Sequence, residues 1–187
     1  MMPTAPEKMQ SPWLRLGAEI PAELGEASVL LVGPEAGRDA VAPSASEVVG
    51  WEPAVDQTPP TGPFGLVVCA RAIEATAHPA NLLTVLCDLM PPGAGLLLHS
   101  RVLTDPKLSA YARFVGGKAE WVPGRLALRW TVETNGFDVE HWIDAGPSEP
   151  GGEADAYLAA VRSERYPALI LGTPVPVDGP KPAPESE

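Results

Sequence analysis

The chain has 187 residues, enough for one domain of ordinary size whose core hides roughly 70% of the unfolded surface. Its 13 Lys and Arg stand against 24 Asp and Glu, a formal charge of −11, which excludes the broad phosphate-neutralising surface that nonspecific nucleic-acid binding needs. With 45% hydrophobic residues, a wholly disordered chain is excluded as well.

Prolines mark the two ends. Pro3, Pro6 and Pro12 at one end, and Pro174, Pro176, Pro180, Pro182 and Pro184 at the other, cannot join a sheet interior because each lacks a ladder donor. Residues 1–12 and 174–187 therefore read as tails or wrapping segments, and 13–173 as one α/β domain. No apolar run approaches the roughly 18 residues of a membrane span, and the first residues lack the apolar stretch of a signal peptide, so a cytoplasmic protein is expected.

Ser28–Val32 (SVLLV) is short, apolar on both faces and stopped by Gly33, as a buried parallel strand is. Glu47–Trp51 (EVVGW) and Leu66–Ala70 (LVVCA) read the same way. Pro79–Met90 places Leu82, Leu83, Leu86, Leu89 and Met90 at three- and four-residue spacing behind an N-terminal proline, and Pro91 forbids continuation, which predicts a helix on the sheet. Gly95–His99 (GLLLH) is a further strand. Arg125–Thr134 is a second helix, stopped by Asn135-Gly136. Phe137–Asp144 alternates as a half-exposed edge strand. Ala154–Arg165 is read as a helix and Ala168–Leu171 as the last strand. Cys69 and Cys87 lie in apolar runs with no Cys-x-x-Cys pair, so they are expected to be buried, reduced and inert. The stretch 61–135 is mildly basic: Arg101, Lys107, Arg113, Lys118, Arg125 and Arg129 stand near only Asp105 and Glu120. That is either a solvated helical face or a docking surface for an acidic partner.

This order of pieces resembles the class I S-adenosylmethionine-dependent methyltransferases from about Ala27 to Gly172. The stretch from Phe64 to His99, FGLVVCARAIEATAHPANLLTVLCDLMPPGAGLLLH, is similar to the family's apolar strand, leucine-rich helix and proline-glycine turn before the next strand. Trp121–Trp142 is similar to its late helix followed by Gly-Phe. The resemblance implies a mostly parallel Rossmann-like sheet with helices on both faces and S-adenosylmethionine lying across the carboxyl ends of the first strands. Pro53, Pro59, Pro60 and Pro63 crowd the short stretch between Glu52 and Phe64, so the family's third strand is expected to be missing and the sheet reduced. The crossover from Gly33 to Ser46 is short for a full helix.

The resemblance also implies the cofactor residues. Gly33 and Gly37 match the first and third glycines of the family's glycine-rich turn, where only a bare Cα lets backbone approach the ligand. Leu31 stands in the place of its acid. Glu35 stands in the place of the middle glycine, close to where the methionine carboxylate of the cofactor lies. There it either repels that carboxylate, fills the anion position itself at a helix start, or turns outward to pair with Arg38 or Arg71. Glu52 falls where an acid accepts hydrogen bonds from the ribose hydroxyls, and Trp51 beside it is a candidate adenine stacker or a packing residue.

Arg71 and Glu74 come just past the Leu66–Ala70 strand, and His99 and Arg101 lie around the end of the Gly95–His99 strand. His99 is the candidate base for an acceptor hydroxyl or amine, against the alternative of a histidine satisfied in the sheet edge. His78 reads as a helix cap and His141 as an exposed residue of an outer strand. No metal-binding, hydrolase or nucleoside-triphosphatase pattern appears. Two functions stay open: a small-molecule methyltransferase holding S-adenosylmethionine through Gly33, Gly37, Glu52 and Arg71, or a non-catalytic relative that binds a protein partner or an active paralogue as a homo- or hetero-oligomer.

Overall fold

The computed structural model describes residues 12–19, 28–33, 45–53, 56, 58–76, 78–105, 110–115, 118–145 and 152–164. The chain opens with helix α1 (Pro12–Glu19), followed by strands β1 (Ser28–Val32), β2 (Glu47–Trp51) and β3 (Leu66–Ala70), helix α2 (Pro79–Asp88) and strand β4 (Gly95–Leu103). After these come strands β5 (Ala110–Val115) and β6 (Lys118–Pro123), helix α3 (Arg125–Thr134), and strands β7 (Phe137–Ala145) and β8 (Glu153–Arg162).

Six strands form one sheet in the order β2-β1-β3-β4-β8-β7, and β5 and β6 form a separate antiparallel hairpin. β2, β1, β3 and β4 are mutually parallel; β8 runs antiparallel to both β4 and β7, so it alone opposes the common direction. This is the expected mostly parallel sheet, and β2 is its edge. Among the described residues no strand lies between Glu52 and Phe64.

The strict two-residue period sorts each strand's side chains between two apolar layers. Leu30, Val32, Val67, Cys69, Leu96 and Leu98 face one layer with Leu82, Leu83 and Leu86 of α2 and Leu128 and Val132 of α3. Val29, Leu31, Val68 and Leu97 face the other, beneath Trp13 and Leu16 of α1. Helices thus cover both faces, and the central strands are buried end to end, as their unbroken apolar runs require.

α2 begins at Pro79, where the missing N–H costs nothing, and ends two residues short of the expected Met90. His78 occupies its N-cap, but the side chain makes no capping bond. α3 ends where expected, and Gly136 beyond it has φ +101°, the conformation for which glycine is suited.

The structure corrects the sequence reading in four places. β4 runs past the expected end at His99 to Leu103, because β8 pairs with it along its whole length, so His99 and Arg101 lie within the strand and not at its end. Ala154–Arg165 is not a helix: β8 occupies Glu153–Arg162, paired with β4 from Gly95↔Val161 to Leu103↔Glu153 and with β7 along its other side. Ala154, Ala156, Leu158 and Ala160 turn into the core at every second position, a strand period that outweighs alanine's helix preference. The basic residues of the middle segment do not share a helical face: Arg101 is on β4, Arg113 on β5 and Lys118 on β6, and only Arg125 and Arg129 are on a helix. There they pair with Asp144 at 3.1 Å and Glu133 at 2.8 Å. Pro12, assigned to a tail, is the first residue of α1. Lys107 and Ala168–Leu171 lie outside the described residues.

Candidate functional site at the carboxyl edge of the sheet

From β1 the chain runs outward to β2 and then back across to β3, so the strand order reverses between β1 and β3, and that switch point is where open α/β sheets leave a crevice. The register carries a row of residues along this edge. Val32 pairs with Trp51 and Cys69, and Ala70 pairs with His99. Gly33, Glu52 and Arg71 follow the ends of β1, β2 and β3 directly.

Gly33 closes the turn with φ +92°, and a Cβ placed there would lie 2.3 Å from the Ala70 carbonyl oxygen. Its N–H donates to the Trp51 carbonyl at 3.0 Å. The glycine is therefore required by the neighbouring strands themselves.

Glu52 is exposed at the start of a turn in which the Asp56 N–H donates to the Glu52 carbonyl at 2.8 Å. Trp51 donates its indole N–H to the Asp56 carbonyl at 3.2 Å. Its ring is buried in the core, as a packing residue's is.

Arg71 has φ +56°, the positive-φ residue other than glycine among the described residues, a conformation that costs about 1–2 kcal/mol for a side-chain-bearing residue. Its N–H donates to the His99 carbonyl at 2.9 Å, and its guanidinium donates to Glu74 Oε2 at 3.3 Å. Glu74 is buried and accepts the Arg101 N–H on Oε1 at 2.5 Å. It thus takes over the ladder beside β4 where β3 has ended. Its own carbonyl accepts the Trp121 N–H at 3.0 Å. One side chain joins the exit of β3 to β4 and holds Arg71 at that edge, and removing it would take away the partner of the Arg101 N–H.

His99 lies at the same level, but its ring faces α1. It is 8% exposed. Nε2 lies 3.0 Å from Asp155 Oδ1, Tyr157 stacks on the ring with centroids 4.3 Å apart and planes 4° apart, and Trp13 meets it edge-on at 5.9 Å. A ring nitrogen held by a carboxylate is the arrangement that orients a catalytic histidine; it equally satisfies a histidine in a sheet edge. Next to it Arg101 reaches Glu153 at 3.7 Å. His141 is exposed on β7. Glu35, Gly37 and Arg38 lie outside the described residues.

Burial pushes the Cys69 thiol up to about 12 and the Cys87 thiol upward as well, so both stay protonated at neutral pH, in keeping with two buried, unreactive thiols. For Cys69 the sign follows: the folded state favours the thiol, so its contribution to stability is complete below pH 9 and lost between pH 9 and about 12, by about 1.4 kcal/mol per pH unit.

No protein-family model matches the chain, and no curated protein matches its sequence. Solved structures match its fold. The 1,6-didemethyltoxoflavin-N1-methyltransferase of Burkholderia thailandensis, with 1,6-didemethyltoxoflavin and S-adenosylhomocysteine bound, superposes with a TM-score of 0.59 at 12% identity, covering 83% of this chain and 80% of that one. The N-terminal domain of EvdMO1, in the presence of S-adenosylhomocysteine and D-fucose, gives 0.57 at 17% identity over 83% and 84%. The [4+2]-cyclase SpnF gives 0.53 at 12% identity over 80% of each chain. The chain has the class I methyltransferase fold, a Rossmann-like sheet. Among the described residues no helix is long and apolar enough to cross a membrane.

Proposed function

We propose that the chain binds S-adenosylmethionine at the switch point between β1 and β3 and transfers its methyl group to a small-molecule acceptor in the cytoplasm. The observation that carries this reading is the juxtaposition, on adjacent strand ends of a sheet with the methyltransferase fold, of the left-handed turn at Gly33 and an exposed carboxylate at Glu52. The residues present fit the donor: Glu52 would accept from both ribose hydroxyls, Gly33 and Gly37 would let backbone approach, and Arg71, held by Glu74, would offer a cation to the donor's carboxylate.

The sulfonium supplies an activated methyl group for direct displacement. The protein's contribution is alignment, which converts an encounter between two molecules into a reaction of one complex. His99 would take the acceptor's proton on Nδ1, the ring nitrogen that Asp155 does not engage, with Tyr157 and Trp13 fixing the ring.

S-adenosylhomocysteine at a hundred times its dissociation constant should stabilise the fold by about 2.7 kcal/mol, raising the melting midpoint by roughly 5–10 °C for a chain of this size. Glu52→Gln should shrink that rise. No rise at millimolar ligand would sink this reading. It would favour the alternative, a non-catalytic protein that keeps the sheet and binds a partner. Glu35 in the place of a glycine and β2 left at the sheet edge are the features that support that alternative, and SpnF, a [4+2]-cyclase, illustrates that this fold does not fix one chemistry.

A further inference from the structure

α3 buries Leu128 and Val132 and turns Leu126 and Trp130 outward, 82% and 67% exposed. The two are four residues apart and so lie on one face. They are the large hydrophobic residues that stand exposed among the described residues, and the carboxyl edge of the sheet makes no use of them.

We infer that this face of α3 is the docking site of the chain's own segment Tyr166–Leu171, the apolar run Tyr-Pro-Ala-Leu-Ile-Leu that follows β8. Three observations point to that occupant. β8 leaves the sheet at the C-terminal end of α3: Arg162 pairs with Phe137, and the Ser163 N–H donates to the Gly136 carbonyl at 2.9 Å. The distance fits as well. Trp130 lies about 7–8 Å along the helix axis from Asn135, and residues 165–171, extended, span up to about 20 Å.

The chemistry and size also fit. The segment carries no charge and three consecutive large aliphatic residues, and Pro167 favours an extended backbone. A face of two side chains is far smaller than the roughly 800 Å² per partner of a stable dimer interface, but it suits a strip of six residues. Docking there would place the segment against the outside of α3, next to β7 and away from the crevice between β1 and β3.

The test uses the full chain carrying Leu126→Cys and Ile170→Cys, with Glu47→Cys and Ile170→Cys as the control pair; Glu47 begins β2, at the opposite edge of the sheet. The native thiols are buried and will not compete. Mild oxidation should link positions 126 and 170 within one chain at least about tenfold faster than the control pair, because docking raises the local concentration of one thiol near the other. Equal rates, or disulfide-linked dimers through position 126, would overturn the inference, the latter by assigning the face to a second copy. A second full-length variant, Leu169→Ser with Leu171→Ser, should raise hydroxyl-radical oxidation of Trp130 severalfold while leaving that of buried Trp51 unchanged. Oxidation of Trp130 at the parent's rate would overturn it equally.

Discussion

Gly33→Ala is expected to destabilise the fold by about 3 kcal/mol and to lower the melting midpoint by roughly 6–12 °C. Two costs combine. At φ +92° any residue with a side chain is strained, by about 1–2 kcal/mol. The new Cβ would also stand 2.3 Å from the Ala70 carbonyl oxygen, a backbone atom fixed by the β1–β3 pairing, so strands must part, at about 1–3 kcal/mol. Gly50 is the internal control. It lies opposite Leu31 in the register, and a Cβ there meets nothing within 4 Å, so Gly50→Ala should stay within about 0.5 kcal/mol of the parent. Equal losses at the two positions would refute the steric argument. The outcome matters for function because it separates what the sheet requires at Gly33 from what a ligand requires there.

Glu35→Gly is expected to tighten binding of S-adenosylhomocysteine by between about fivefold and a thousandfold. A carboxylate in the middle position of the turn would stand close to the ligand's own carboxylate. Two such charges about 4 Å apart repel by about 1 kcal/mol in water and about 4 kcal/mol at the effective dielectric of a protein surface. The smaller figure holds if the turn is open to solvent, the larger if it closes over the ligand. Calorimetric titration of parent and variant reads the difference directly. Weaker binding by the variant would mean that Glu35 supports the ligand, and the repulsion argument would fail.

Much of the sheet was legible because its strands are apolar on both faces and punctuated by glycine or proline. Ser28–Val32, Glu47–Trp51 and Leu66–Ala70 match the observed strands residue for residue, and the Arg125–Thr134 helix stops where Asn135-Gly136 supplies the turn. β8 was not legible for a physical reason. Its core-facing positions are mostly alanine, the strongest helix former and a poor strand former, and it becomes a strand because β4 and β7 pair with it on both sides. The signal was the alternation of Ala154, Ala156, Leu158 and Ala160 with Asp155 and Tyr157.

That misreading hid part of the site, since Asp155 and Tyr157, the partners of His99, stand on β8. Trp13, the third residue around that ring, was hidden because a proline-rich start masked the brief amphipathic helix in which Trp13 and Leu16 share a face. The β5–β6 hairpin was missed although Gly116-Gly117 between two strand-length runs is a hairpin signal. Gly33, Glu52 and Arg71 follow the ends of β1, β2 and β3, and His99 stands within β4 opposite Ala70. Glu74 was singled out by position only; its role in joining Arg71 to the Arg101 backbone depends on where β3 ends relative to β4, a matter of register that no spacing along the chain reveals.

The central claim is that the crevice at the ends of β1, β2 and β3 holds the methyl donor, and a crystal structure of the full chain grown with millimolar S-adenosylhomocysteine tests it most directly. The expected result is the ligand lying across those strand ends with its ribose hydroxyls on the Glu52 carboxylate. A crevice with no ligand in it, or a ligand seated elsewhere with Glu52 still turned to solvent, would contradict the claim.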